Sequence, residues 1–344
     1  MYAEKWNLNM IGMNNLHIRI SMDFWEDKNV LVTGGAGFIG SHVVERLLNL
    51  GANVSVTVRS NMDFIKHVKD KLDIRYGDLT DIENCLKAVK GNEIILNLAA
   101  KVGGIEYNIK HPGSIFVNNI QIFMNMLESS RKLDVERFLT VSSACVYPRH
   151  CTIPTPEEEG FLSVPEPTNE GYGWAKRMEE FLSMTYKTEY GMKIAIARPY
   201  NAYGPRDNFD PKSSHVIPSL IKRVLDGENP LDVWGSGNQT RSFLYVEDFV
   251  EGILLTCEKY AVADPVNIGS DDETTIRDLV NLILNICKCD SKVIFDRSKP
   301  EGQPRRKCDT TKAKKVLGFE ARTPLKEGLK NTIDWYKQQK SWDK

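Results

Sequence analysis

The chain has 344 residues, 41% hydrophobic and 26% charged, enough to bury one large core or two coupled ones. Its 45 basic and 46 acidic residues leave a net charge of -1 spread along the whole length, which excludes a basic stripe for nucleic acid and an acidic disordered tail, and leaves a small molecule as the expected partner. Seven cysteines, an odd number, fit neither a disulfide framework nor metal-ligand spacing; no metal is expected, and the chain reads as reduced and cytoplasmic.

Residues 1–27 read as an N-terminal extension, poorly ordered to about residue 22, without the apolar h-region and small-residue cleavage site of a signal peptide. No segment elsewhere approaches the roughly 18 apolar residues of a membrane span. From Lys28 short β-rich runs alternate with helical ones: "NVLVTG", "SHVVERLLNLG", "NVSVTV", "IRYGD", "NCLKAVKG", "EIILNLAA", a long helix from Pro112 to about Leu133, "RFLTVSSA", a second long helix from about Gly171 to Tyr190, and "KIAIARPY". That alternation predicts an α/β fold, a Rossmann-like doubly wound parallel sheet over residues 28–204. Beyond it the pattern loosens into polar loops, short helices and brief strands such as "VNIG", which predicts a smaller α+β substrate lobe over 205–344, with segments free to cross between the lobes.

In "NVLVTGGAGFIGSHVVERLL" a strand, a glycine turn and an amphipathic helix follow one another, with Gly34, Gly37 and Gly40 spaced GxxGxxG. The first glycine permits the tight turn, the second lets the backbone approach a pyrophosphate, and the third lets helix pack on strand, which makes this a dinucleotide site. NAD sites place an acidic residue at the end of the second strand to hold the ribose; here that strand ends at Arg59 and Ser60, and a guanidinium suits a 2′-phosphate, favouring NADP(H) with NAD as the alternative. Asp78, after the third strand, is placed to meet the adenine end. Tyr172 and Lys176 in "GYGWAKRMEE" lie four apart on one helix face, where an ammonium favours the ionised form of a phenol and so makes a proton-transfer pair.

The glycine turn, "SSACVYP", "YGWAK" and "RPYNAYGP", in this order, resemble the extended short-chain dehydrogenase/reductase family acting on nucleotide sugars. The resemblance implies that Ser143, four residues before Tyr147, hydrogen-bonds the sugar's carbon-4 oxygen, with Tyr172 as acid-base and Lys176 its partner on the nicotinamide ribose. Where the family's dehydratases carry Asp and Glu, this chain has Ala144 and Cys145, so dehydration is not expected. "AAKVGGI", "SSACVYP" and "NFDPKSSHVIPSLIKR" are similar to the GDP-L-fucose synthase branch, and two of the three also to GDP-mannose 3,5-epimerases. That likeness implies Cys145 and His215 as the groups exchanging protons at carbons 3 and 5, with GDP as the nucleotide; thiol and imidazole both titrate near neutrality. The 3,5-epimerases carry a Lys near the position of His215, so His215 and Arg59 favour the fucose-synthase pattern.

By the same resemblance Phe38, Ile39, Leu79, Ala99, Ala100 and Lys101 join Gly34, Gly37, Gly40, Arg59, Asp78, Tyr172 and Lys176 in holding the cofactor. Gly103, Gly104, Asn201, Val216, Arg223, Arg241 and Arg306 are the expected substrate contacts, the Arg residues gripping diphosphate bidentately, with Arg305 beside them. The helix "PGSIFVNNIQIFMNMLESSRKL" carries an apolar band wider than one core-facing stripe, which together with the family's habit predicts a homodimer. The expected activity is epimerisation followed by reduction at carbon 4. A redox-neutral nucleotide-sugar epimerase that returns the same hydride, of the 4-epimerase or the GDP-mannose 3,5-epimerase type, is the alternative, because the same triad serves both. A silent dinucleotide-binding regulator has no need of Ser143, Tyr172 and Lys176 together, and this chain has all three.

Overall fold

The computed structural model describes residues 20–210, 213–299 and 302–342. In chain order the elements are α1 (Met22–Trp25), β1 (Asn29–Thr33), α2 (Phe38–Asn49), β2 (Asn53–Val58), β3 (Leu72–Tyr76), α3 (Ile82–Val89), β4 (Ile94–Asn97), α4 (Ile105–Lys110), α5 (Pro112–Lys132), β5 (Arg137–Val141), α6 (Glu170–Tyr190) and β6 (Ile194–Pro199). There follow β7 (Ala202–Tyr203), α7 (Val216–Leu225), β8 (Leu231–Trp234), β9 (Thr240–Arg241), β10 (Leu244–Tyr245), α8 (Val246–Lys259) and β11 (Val266–Ile268). The last are β12 (Thr274–Thr275), α9 (Ile276–Cys287), β13 (Val293–Asp296), β14 (Arg305–Arg306), α10 (Thr311–Leu317) and α11 (Leu325–Trp342).

Seven parallel strands form one sheet in the order β11-β6-β5-β4-β1-β2-β3. In "NVLVT" the three central residues Val30, Leu31 and Val32 are all apolar and buried, because both faces of the sheet are covered. Val30 and Val32 face a core shared with Val43, Val44 and Leu47 of α2 and with Ile253 of α8, while Leu31, Ile95 and Phe138 face Phe123, Met126 and Leu127 of α5. A second core gathers Ile217, Ile221, Leu279, Ile283, Leu329 and Ile333 from the C-terminal helices with Leu231 and Val233. Strand order reverses between β1 and β4, and the crevice at their C-terminal ends is where doubly wound sheets bind ligands.

Two segments find their places only in the tertiary structure. The strand "VNIG", expected within 205–344 where segments were free to cross between the lobes, lies at the edge of the main sheet, where Val266, Asn267 and Ile268 pair with Ala197, Arg198 and Pro199. A three-residue run gives no local clue to its partner; the buried apolar side chains on β6 supply one. Residues 20–27, assigned above to an extension, include α1 and a fully buried Trp25 whose indole N–H donates to Glu258 at 3.3 Å. The remainder of that extension, residues 1–19, lies outside the described residues.

Candidate active site

At the crevice, Thr33 closes the gap between β1 and β4: its hydroxyl donates to Asn97 Oδ1 at 2.8 Å and accepts the Ala99 N–H at 2.9 Å. The glycine turn follows at once, with Gly34 in the left-handed region at φ +66° and the Gly37 N–H donating to Gly34 O at 2.9 Å. A Cβ on Gly40 would stand 2.1 Å from Gly34 O, so only glycine lets α2 approach the turn this closely. Gly37 caps α2 with no side-chain acceptor, leaving the first amides of a twelve-residue helix directed at the crevice, a cradle that fits a diphosphate. Phe38 and Ile39 open that helix and pack against the C-terminal core.

Arg59 stands exposed just beyond β2, and Asp78 is exposed after β3. Two hydrogen bonds from Thr80, each 2.9 Å, hold the Asp78 carboxyl below its ordinary pKa, and the Arg59 charge acts in the same direction. Leu79 is buried, Ala99 and Ala100 are half-buried, and Lys101 is exposed. The Lys101 backbone is fixed by a residue that sequence reading missed: Asn119, buried in α5, accepts its N–H at 2.7 Å and donates to its carbonyl at 3.0 Å. An Asn inside an apolar helix face was the available signal.

Ser143 ends the segment after β5, and its Oγ accepts the Cys145 N–H at 3.1 Å to start a single 3₁₀ turn, Ala144–Val146. Cys145 is half-buried. Across from them α6 presents Tyr172 and Lys176. The Lys176 Nζ donates to Val141 O at 2.9 Å and to Glu179 Oε2 at 2.8 Å, and stands 5.5 Å from the Tyr172 ring centroid. Burial pushes the Tyr172 phenol up to about 12; Lys176 pulls it down, and Cys145 and Glu179 push it up again. The pair therefore differs from the simple expectation of an ammonium favouring phenolate, because desolvation outweighs Lys176. Burial alone would lower the Lys176 pKa, but Glu179 and Tyr172 raise it and keep the side chain cationic.

Behind this layer lies a buried network with no counterpart in the sequence expectations. Arg198 on β6 forks onto Glu180 with two 2.7 Å bonds, and also donates to Tyr147 Oη at 3.0 Å and Glu157 O at 2.6 Å. The Ser142 hydroxyl donates to Glu180 as well, tying the catalytic loop to α6.

The remaining catalytic candidate arrives through a chain of contacts. The Gly104 N–H donates to Ser213 O at 3.1 Å, and Asn108 Nδ2 donates to Gly103 O at 3.0 Å and to Asn169 Oδ1 at 2.7 Å, just before α6. A Cβ on Gly173 would lie 2.4 Å from Cys145 O. The Gly103–Gly104 turn thus touches the loop leading to His215 on one side and the start of the Tyr172 helix on the other. His215 caps α7 and Val216 begins it, both open to solvent.

Among the arginines, Arg241 and Arg306 are register partners on β9 and β14, and both bond Gln303, Arg241 to its carbonyl at 2.7 Å and Arg306 to its side chain at 2.8 Å. Gln303, 3% exposed, in turn donates to Pro148 O at 2.8 Å, which links these arginines to the segment after Cys145. Asn201 donates to Ser242 O at 2.8 Å beside them. Arg223 is engaged elsewhere, with Glu228 and Asp232 O, and Arg305 pairs with Glu273. Among the described residues no cluster of His, Cys, Asp or Glu could hold a metal ion, and no helix is long and apolar enough to cross a membrane.

Residues 30–269 match the model of the NAD dependent epimerase/dehydratase family. The chain is 34% identical over 321 residues to a probable GDP-L-fucose synthase 1 of Oryza sativa subsp. japonica, covering 91% of this chain and 94% of that one. To GDP-mannose 3,5-epimerase 1 of the same organism it is 31% identical over 325 residues, covering 92% and 84%. Its fold superposes on a UDP-glucose 4-epimerase of Thermotoga maritima, solved with UDP-glucose, at a TM-score of 0.82 and 30% identity, covering 90% of this chain and 99% of that one. With a glycine cradle at the crevice, a Tyr172–Lys176 pair on α6 and family-wide matching over most of its length, the chain belongs to the NAD dependent epimerase/dehydratase family.

Proposed function

We propose that this protein is a nucleotide-sugar epimerase/reductase of the GDP-L-fucose synthase type: it inverts carbons 3 and 5 of a GDP-linked 4-keto-6-deoxyhexose and then reduces carbon 4. The observation that carries the reading is the single run of contacts joining Cys145, the Tyr172 helix, the Gly103–Gly104 turn and the His215 loop. A ketone at carbon 4 acidifies the protons on its neighbours, so inversion needs one group to take a proton and another to return one to the opposite face. His215 is the group that accepts a proton, since an imidazole titrates near neutrality, and the Cys145 thiol is the opposing donor. The reduced nicotinamide supplies hydride to carbon 4 when bound. Tyr172, protonated up to about pH 12, gives its proton to the new alkoxide, Ser143 orients that oxygen, and Lys176 is the fixed positive charge beneath.

Arg59 supports NADP(H) over NAD, and Arg241 with Arg306 supports a diphosphate over the C-terminal lobe. Val117, Met124 and Phe181 are exposed on α5 and α6, which supports a homodimer through these helices; a monomer by sedimentation at micromolar concentration would remove that part. The likeness to a UDP-glucose 4-epimerase supports a second reading, a redox-neutral 4-epimerase, which has no use for Cys145 or His215.

Incubation with GDP-4-keto-6-deoxymannose in heavy water, with and without NADPH, separates them. Deuterium at carbons 3 and 5 with NADPH oxidation supports the first reading, provided that Cys145→Ser abolishes the uptake. Deuterium without oxidation indicates a pure 3,5-epimerase. Neither signal, together with interconversion of UDP- or GDP-hexoses, carries the redox-neutral reading.

A further inference from the structure

Among the described residues Lys176, Arg177 and Arg198 are cations buried beneath the segment after β5; Arg177 donates to the Val146 carbonyl, while the other two each meet a carboxylate. Arg198 takes Glu180, and Lys176 takes Glu179, with side chains 5% and 3% exposed. Tyr172, Lys176, Glu179 and Glu180 fall at i, i+4, i+7 and i+8, one face of α6, and the Lys176 ammonium lies 2.8 Å from the Glu179 carboxylate and 5.5 Å from the Tyr172 ring centroid. Glu180 is held by Arg198 and Ser142 and reaches Lys176 only through its charge, whereas the ammonium hydrogen-bonds Glu179 and the Val141 carbonyl.

We propose that Glu179 is a positioning residue: it fastens the Lys176 ammonium against Val141 and offsets part of its field at the Tyr172 phenol, so that the phenol is kept as a proton donor rather than a base. An unpaired ammonium at this distance in a water-poor site would favour phenolate strongly, which suits removal of a proton from a substrate hydroxyl; a compensated one suits delivery of a proton to an alkoxide. The direction of the Glu179 effect on Tyr172, upward, is the one this geometry requires. Burial pushes the Glu179 carboxyl itself up to about 7, against the pull of Lys176, so the residue biases the site toward the reductive half of the chemistry as it ionises above that pH. This inference rests on Tyr172 and Lys176 acting as the proton donor and its partner.

The test reads the phenol without substrate. Protein carrying 3-fluorotyrosine, whose phenol is more acidic than that of tyrosine, is titrated by fluorine NMR with NADP⁺ bound, and the Tyr172 resonance is assigned by its absence in Tyr172→Phe. Glu179→Gln is expected to lower the Tyr172 midpoint by about one pH unit, a tenfold change in phenolate fraction. Glu179→Asp keeps a charge in the pocket and so protects the fold, draws the carboxylate back by one methylene, and is expected to lower the midpoint part of the way. An unmoved midpoint in whichever variant folds overturns the proposal. Failure of the functional reading shows separately, as full turnover by Tyr172→Phe.

Discussion

Replacing Arg198 by Met should cost this protein about 3–5 kcal/mol of stability, out of the roughly 5–15 that holds a domain together. The side chains of Arg198 and Glu180 are 2% and 0% exposed and meet in a bidentate pair with two bonds of 2.7 Å. Met fills much of the arginine stem but leaves Glu180 a buried carboxylate with the Ser142 hydroxyl, and takes one donor each from Tyr147 and the Glu157 carbonyl. The loss comes from the stranded charge, not from the pair's own attraction, since two buried ions repay their desolvation only when both are present. Arg198→Met/Glu180→Leu removes that charge and should recover most of the loss, leaving a deficit of about 1–2 kcal/mol from the unpaired hydroxyl and carbonyl groups. Urea unfolding at pH 7, compared at equal slope, gives both numbers. A single variant within about 1 kcal/mol of the parent, or a double variant as damaged as the sum of the two singles, would refute the reasoning.

Gly40→Ala would force its Cβ to 2.1 Å from Gly34 O, so the glycine turn must open, and NADPH affinity measured by fluorescence titration should fall at least about tenfold; affinity within a factor of two sinks the cradle as the diphosphate site. Burial pushes the Asp207 carboxyl up to about 7, above its unfolded value near 3.9, so the stability this carries is complete below about pH 4 and is lost as pH rises through 7. Asp207→Asn should therefore raise stability at pH 8 by up to about 4 kcal/mol and leave it unchanged at pH 4, and a gain independent of pH contradicts the assignment. Trp25→Ala should cost about 3–5 kcal/mol in the same urea assay, since the side chain is fully buried; a residue in a dispensable extension would cost nothing.

Local patterns were legible from the sequence because their physics is local. Gly34, Gly37 and Gly40 are spaced for a turn and a helix start, Tyr172 and Lys176 for one helix face, and the runs "NVLVT" and "NVSVT" for strands covered on both sides; each is decided within about ten residues. The limits of α5 and α6 were equally readable, from a Pro at the start of one and a left-handed Gly191 at the end of the other.

What the tertiary structure alone decided involves residues far apart in the chain. Val266–Ile268 is too short to announce that it will close the main sheet, and Trp25 finds Glu258 across 233 residues. No pattern tells which of the adjacent Glu179 and Glu180 will meet Lys176 and which Arg198, or that Arg223 will be spent on Glu228 while Arg241 and Arg306 come together at Gln303. The Tyr172 phenol is the plainest case. Sequence supplies its ammonium neighbour, but the sign of its shift is set by how completely the surrounding elements remove water from it, and desolvation is a property of the assembled fold.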